Sequence, residues 1–267
     1  MKWLRGTAAG FLLVVGVAAA APELWAPAHY ETQFRDFPDA PPSARFPLGT
    51  DALGRDRLSR LVYGTRVSLA LAPAAALLSA LTAGLLGGVA GLAGGWADGA
   101  ILAGADLCLS LPWLFLLLIV RACLPLNAPP AASLASTFLL LGVLGWAAPA
   151  RVVRAAVRRL NHSAFLDQAR AAGCGPWRLL WRHLMPNLTP VLLAQFWVAV
   201  PAYILAETTL GMLGLGVAEP LPSWGGLLRE LEGGGIGRQP WLLSTALLVA
   251  AVTGSFQLAW PGGRERR

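Results

Sequence analysis

Charge is what this sequence has least of. Only 13% of its 267 residues are Asp, Glu, Lys or Arg, against 56% hydrophobic. Soluble domains usually carry about twice that charged fraction, so an ordinary water-surrounded globule is excluded. Lysine is nearly absent, and Lys2 is the single one. A phosphate-binding loop of the form GxxxxGK[ST] needs a lysine after its glycines. Lys2 has no such context, so this chain carries no ATPase loop of that kind. The three cysteines, Cys108, Cys123 and Cys174, show no CxxC spacing; neither a disulfide framework nor a zinc site follows. His29, His162 and His183 are equally scattered, and no metal or other cofactor is expected. Paired carboxylates, histidine clusters and nucleophile motifs are missing, so the chain does not read as an enzyme.

Apolar length is what the chain has instead. Six stretches approach or exceed the roughly 20 helical residues that cross a bilayer: 3–21, 67–95, 100–124, 131–150, 189–213 and 241–260. Lipid offers no water to open backbone groups, so helices are the default. The expected fold class is an all-α polytopic membrane protein with six transmembrane helices. The first stretch opens with Lys2 and Arg5 and ends in VAAAAPE. That pattern is similar to a secretory signal, but its length and the five later spans favour retention. Span two holds GxxxG at Gly84–Gly88, Gly87–Gly91 and Gly91–Gly95, a spacing that lets helices approach closely. Asp106, Arg121 and Glu207 fall inside spans, where an ionisable group is expected to face protein or water.

The net charge of +7 is almost all arginine, and its placement separates a membrane protein from a nucleic-acid binder. Residues 151–187 carry Arg151, Arg154, Arg158, Arg159, Arg170, Arg178 and Arg182 against Asp167 alone. Arginine excess marks the cytoplasmic side. Six spans with both termini inside put 151–187 in the cytoplasm and 22–66 outside. The latter is near neutral, with six acids balancing six arginines. Within it RDRLSRLVYG reads as an amphipathic helix at the interface.

The polar stretch 165–190, FLDQARAAGCGPWRLLWRHLMPNLTP, interrupts the apolar blocks. Phe165, Leu166, Ala169 and Ala172 share one face of a first helix. Trp177, Leu180, Trp181 and Leu184 make an i, i+3, i+4, i+7 stripe on a second. Gly173 and Gly175 end the first helix, with Gly173 suited to a left-handed C-terminal position, and Pro186 closes the unit. Three readings compete: a surface anchor, a DNA-binding helix-turn-helix, and a contact for a cytoplasmic partner. Spans close on both sides argue against DNA, and no nucleic-acid partner is expected.

DQARAAG followed by WRLLWRHLMPN resembles the EAA loop of binding-protein-dependent ABC importer permeases. Asp167, Gln168 and Ala169 stand at the EAA positions, Gly173 at the glycine, and Met185-Pro186 at the end. FPLGTDALGRDRLSRLVYGTRVSLAL (46–71), DLCLSLPWLFLLL (106–118) and AETTLGMLGLGVAEPLPSWGGLL (206–228) resemble segments of the dipeptide, oligopeptide and nickel permeases in the same order. The C-terminus, SFQLAWPGGRERR, departs from that family's usual ending. The resemblance implies an N-terminal helix plus external loop (1–66), a type I permease core (67–261, coupling loop 151–187) and a short basic tail (262–267). It implies ATPase coupling through Asp167, Ala169, Arg170, Gly173, Trp177, Leu180, Trp181 and Pro186. Glu207 and Asp106, as ionisable groups inside spans, are the pore or gate candidates. The implied partners, besides membrane lipid, are a homologous permease, two cytoplasmic ATP-binding subunits and an external solute-binding protein. The alternative is an ion-gradient-driven transporter or channel; few ionisable groups in the spans and no obvious inverted repeat argue against it.

Overall fold

The computed structural model describes residues 2–123, 129–233 and 239–259. The elements are helical: α1 (Lys2–Ala20), α2 (Pro22–Trp25), α3 (Arg57–Ala93), α4 (Gly95–Ser110), α5 (Trp113–Ala122), α6 (Pro130–Leu144), α7 (Ala147–Asn161), α8 (Ala164–Ala171), α9 (Pro176–Arg178), α10 (Met185–Met212), α11 (Trp224–Arg229) and α12 (Leu243–Ala259). A π-helical stretch, Leu179–Leu184, joins α9 to α10, and 3₁₀ turns cover Glu230–Gly233 and Pro240–Leu242. Among the described residues the only β pairing is two isolated bridges, Gln33–Arg55 and Thr50–Asp56. Among the described residues, five helical stretches are long and apolar enough to cross a membrane: 3–20, 57–93, 130–161, 179–212 and 240–259. The bent pair α4 and α5 makes a sixth if the two cross together as one broken span.

Several expected boundaries change. Stretch 100–124 is not one straight span, because α4 and α5 meet at an 89° bend across Leu111 and Pro112. Proline disfavours helical conformation in the residue before it. RDRLSRLVYG is not a separate interfacial helix; from Arg57 onward it forms the opening turns of the 37-residue α3. Its Ser59 and Arg60 are buried, which an interfacial helix would not require. Pro186 does not close a helix, since it lies in the first turn of α10 and helix runs on to Met212. A proline lacks the N–H that a continuing α ladder would use and crowds the carbonyl four residues back. The wider π turns directly before it are a way to absorb that conflict. The basic tail, 262–267, lies outside the described residues.

The fold divides into two compact units. One takes in the described residues of Met1–Pro73, Val120–Leu139 and Val200–Arg267; the other is Ala74–Ile119 with Leu140–Ala199. In the first, α1 packs along α12, burying Ala8 and Ala19. In the second, α3 approaches α7 through its glycines. A Cβ on Gly91 would lie 2.7 Å from Val157 Cγ1, and one on Gly87 would strike the Ala150 carbonyl. Gly88 and Gly95 meet nothing within 4 Å, so close packing uses part of the GxxxG series. Leu77, Leu81, Leu85, Val89 and Leu92 of α3 are exposed, a stripe suited to lipid or another membrane helix.

Candidate functional site

The polar stretch forms a knob in the second unit. Val153, Ala156 and Val157 of α7, Leu166 of α8, Leu184 of the π stretch and Leu188 of α10 make its core. Helix α8 ends in a Schellman arrangement. The Cys174 N–H donates to the Ala169 carbonyl (3.1 Å), the Gly173 N–H to the Arg170 carbonyl (2.9 Å), and Gly173 has φ +76°. This is the backbone that glycine adopts without penalty. No atom would crowd a Cβ there within 4 Å, so the glycine is required by conformation and not by packing.

Arg170 Nη1 donates to Asp167 Oδ1 (2.8 Å) and to the Asn161 carbonyl (3.0 Å), and Nη2 donates to Asn161 Oδ1. Arg170 therefore ties α8 back to the end of α7. The expected four-residue stripe divides. Leu184 is buried and Leu180 packs against the core, whereas Trp177 is 71% and Trp181 54% exposed. A π turn closes its hydrogen bond five residues on, not four, so α-helical spacing no longer keeps the four on one face. The two indoles meet edge to face at 5.7 Å. Ala169 is half-buried, Pro186 exposed.

Local counting overstated the positive charge here. Arg154 pairs with Asp98 of α4, Arg158 lies 3.6 Å from the same carboxylate, and Arg151 pairs with Asp106. Asp106 is thus an exposed partner of α7 and not a buried group. The pairing was invisible because α4 and α7 are about 50 residues apart in sequence.

Glu207, in the first unit, is fully buried. Ser68 Oγ donates to its Oε2 at 3.4 Å, and Ser223 and the Gly225 backbone also approach it. Close above it the chain is packed glycine on glycine: a Cβ on Gly211 would lie 2.5 Å from Gly225 Cα, and one on Gly216 2.6 Å from Gly211 Cα. Trp224 is completely buried and donates from Nε1 to Thr65 Oγ1 at 3.0 Å. Arg121 is 2% exposed; its Nε donates to the Leu215 carbonyl (2.8 Å) and its Nη2 to Ser133 Oγ (3.2 Å), which itself donates to the Gly216 carbonyl (3.1 Å). The Leu-Gly-Leu-Gly turn is therefore clamped by a buried guanidinium.

Sequence reasoning missed an ion-pair network in the first unit. Asp51 Oδ2 accepts from Arg55 and Arg60, both at 2.6 Å. Glu219 takes Arg55 (2.6 Å) and Arg60 (2.7 Å) on its two oxygens. Glu230 accepts from Arg57 (3.1 Å) and lies 3.4 Å from Arg60. Burial pushes the Asp51 carboxyl up, but hydrogen bonds from Arg55 and the charges of Arg55 and Arg60 outweigh it and hold it below the usual carboxylate range. Burial pushes Glu230 up, and Arg57 and Arg60 offset only part of that. The signal in the sequence was the exact balance of acids and arginines in 22–66.

Comparison with known proteins places this geometry in context. The family model described as "binding-protein-dependent transport system inner membrane component" matches residues 83–259. The di/tripeptide transport system permease protein DppC of Pseudomonas aeruginosa is 37% identical over 223 residues, covering 81% of this chain and 71% of that protein. The oligopeptide transport system permease protein OppC of Bacillus subtilis is 34% identical over 187 residues, covering 70% and 59%. The glutathione transport system permease protein GsiD of Pectobacterium atrosepticum is 32% identical over 189 residues, covering 71% and 61%.

Proposed function

This chain belongs to the family of binding-protein-dependent transport system inner membrane components, and from that premise we propose that it is a permease subunit of an ATP-driven peptide importer. The observation that carries the proposal is the knob at 164–184, an apolar-cored elbow whose two tryptophans are left uncovered. Clustered exposed aromatics are the anchors that interfaces use. Arg178 and Arg182 beside them are exposed and make no ion pair among the described residues. Such a surface suits a groove on a cytoplasmic ATP-binding subunit.

In this reading 151–187 and both termini face the cytoplasm, and 22–66 faces out. The complex comprises this chain, a homologous permease, two ATP-binding subunits and an external solute-binding protein. Nucleotide binding draws the ATPase pair together, the knobs move with it, and the permease pair passes between inward- and outward-facing states. Nucleotide and loaded binding protein each favour one state, so uptake is a biased population shift. Peptide is the solute class that the names of the relatives above favour.

Replacing Trp177 and Trp181 together by Ala tests this. Both are exposed, so insertion and expression are expected to persist. Recovery of the ATPase subunit in pull-down and uptake of a labelled tripeptide are expected to collapse together. Wild-type values for both would remove the coupling assignment. Uptake that survives ATP depletion but follows an ion gradient would instead favour a secondary transporter.

A further inference from the structure

The ion-pair network does not fill its own space. It walls a cavity of about 440 Å³ lined by Asp39, Asp51, Arg55, Arg57, Arg60, Glu219, Arg229 and Glu230, with Gln239 alongside. A network serving only to hold loops together has no need of an open cleft along its charged side chains. The walls also differ in how far their charges are already used. Asp51 and Arg60 are 4% and 2% exposed at their side chains and multiply paired. Asp39 reaches Arg57 only at 3.7 Å and is 54% exposed, whereas Glu219 pairs with both Arg55 and Arg60 and still keeps 58% exposure. Arg229 is exposed and makes no ion pair among the described residues. The cavity therefore offers one guanidinium outside any ion pair among the described residues and two solvent-accessible carboxylates, beside buried charges that pair with one another.

The lining holds four arginines and four acidic residues. A ligand of one charge sign gains from half the lining and is repelled by the other half. A ligand with both signs held apart gains from both, and complementarity of this kind confers specificity. The buried pairs are set before any ligand arrives, which lowers the ordering cost of binding. The volume lies within the range of small-molecule sites, about 300–1,000 Å³.

We propose that this cavity binds a short zwitterionic peptide by its two ends, the carboxylate on Arg229 and the ammonium on Asp39 and Glu219. The inference rests on the peptide-importer reading and gives the permease its own contact with the solute, apart from the binding protein. Arg229 suits the carboxylate because its planar fork can take two oxygens at once.

The test uses the full-length chain in lipid nanodiscs, with no binding protein, and labelled tri-alanine as probe. Its methyl side chains leave recognition to the termini. Saturable binding is expected, about tenfold weaker when either end is capped by acetylation or amidation. Arg229→Gln is expected to weaken the free peptide to a similar degree and to leave the amidated one unchanged. Asp39→Asn with Glu219→Gln is expected to do the converse with the acetylated one. Melting midpoints of the variants check that each is folded. No saturable binding to the wild type, equal binding of capped and free peptides, or displacement by acetate as effective as by tri-alanine would each overturn the site. Tripeptide uptake by cells with the complete transporter is read in parallel. Uptake without this binding removes only the cavity proposal, whereas binding without peptide uptake removes the importer reading.

Discussion

Gly173 has a left-handed backbone and open space where a Cβ would stand. A β-branched residue there is expected to cost about 1–2 kcal/mol in backbone strain and to re-aim the segment that carries Trp177 and Trp181. Gly173→Val should insert and be expressed yet recover little ATPase subunit in pull-down. Gly173→Asn should fall between it and the wild type, because asparagine tolerates this region better. Equal behaviour of the two variants would argue against conformation as the cause. Asp51 sets a pH dependence. Its carboxyl is held low in the fold, so its stabilisation is present above the unfolded value of about 3.9 and is lost as pH falls through the folded value. Glu230 is held high, so its contribution has the opposite sign: present in acid and lost as pH rises past its folded value. Asp51→Asn leaves buried Arg60 short of a partner and is expected to cost about 3–5 kcal/mol at neutral pH. That deficit should shrink below about pH 4 as the wild-type carboxylate also protonates. Melting midpoints from pH 2.5 to 8 check it; a deficit unchanged at pH 3 would contradict the ion-pair account.

Among the elements, α3 and α7 meet through glycine, and the contact is selective. Gly91→Ala must displace Val157, whereas Gly88→Ala meets nothing within 4 Å. Overpacking typically costs about 1–3 kcal/mol. Gly91→Ala is therefore expected to lower the melting midpoint of the solubilised chain, while Gly88→Ala leaves it unchanged or raises it slightly through better helix propensity. If both variants melt alike, the close approach is not supporting the pair. The antiparallel ion pairs Asp98–Arg154 and Asp106–Arg151 join α4 to α7, which continues the α6 stretch. They hold α7 alongside α4 just ahead of the knob.

For the whole molecule, orientation is the property on which the proposed docking depends. Cys174 sits in the knob, half-buried. With 151–187 in the cytoplasm, an impermeant thiol reagent should label it only after the membrane is opened, with a denatured control for slow access. Labelling in intact spheroplasts would reverse the topology and with it the docking side. The helical class, the presence of several membrane-length apolar stretches and the elbow glycine were legible in the sequence. Each depends on local physics: hydrophobic length, charge per segment and the φ that one residue can adopt. What lay beyond it involves partners far apart in the chain. Asp106 reads as a lone intramembrane acid until α7 supplies Arg151. Arg60 reads as part of a surface helix until Asp51, Glu219 and Glu230 enclose it. The tryptophan stripe reads as one face until the chain before Pro186 widens into π turns. Composition and period determined a membrane-spanning helical chain with a polar elbow. Tertiary structure alone decided which charges are satisfied and which face solvent, because pairing and burial are set by distances in space that sequence spacing does not encode.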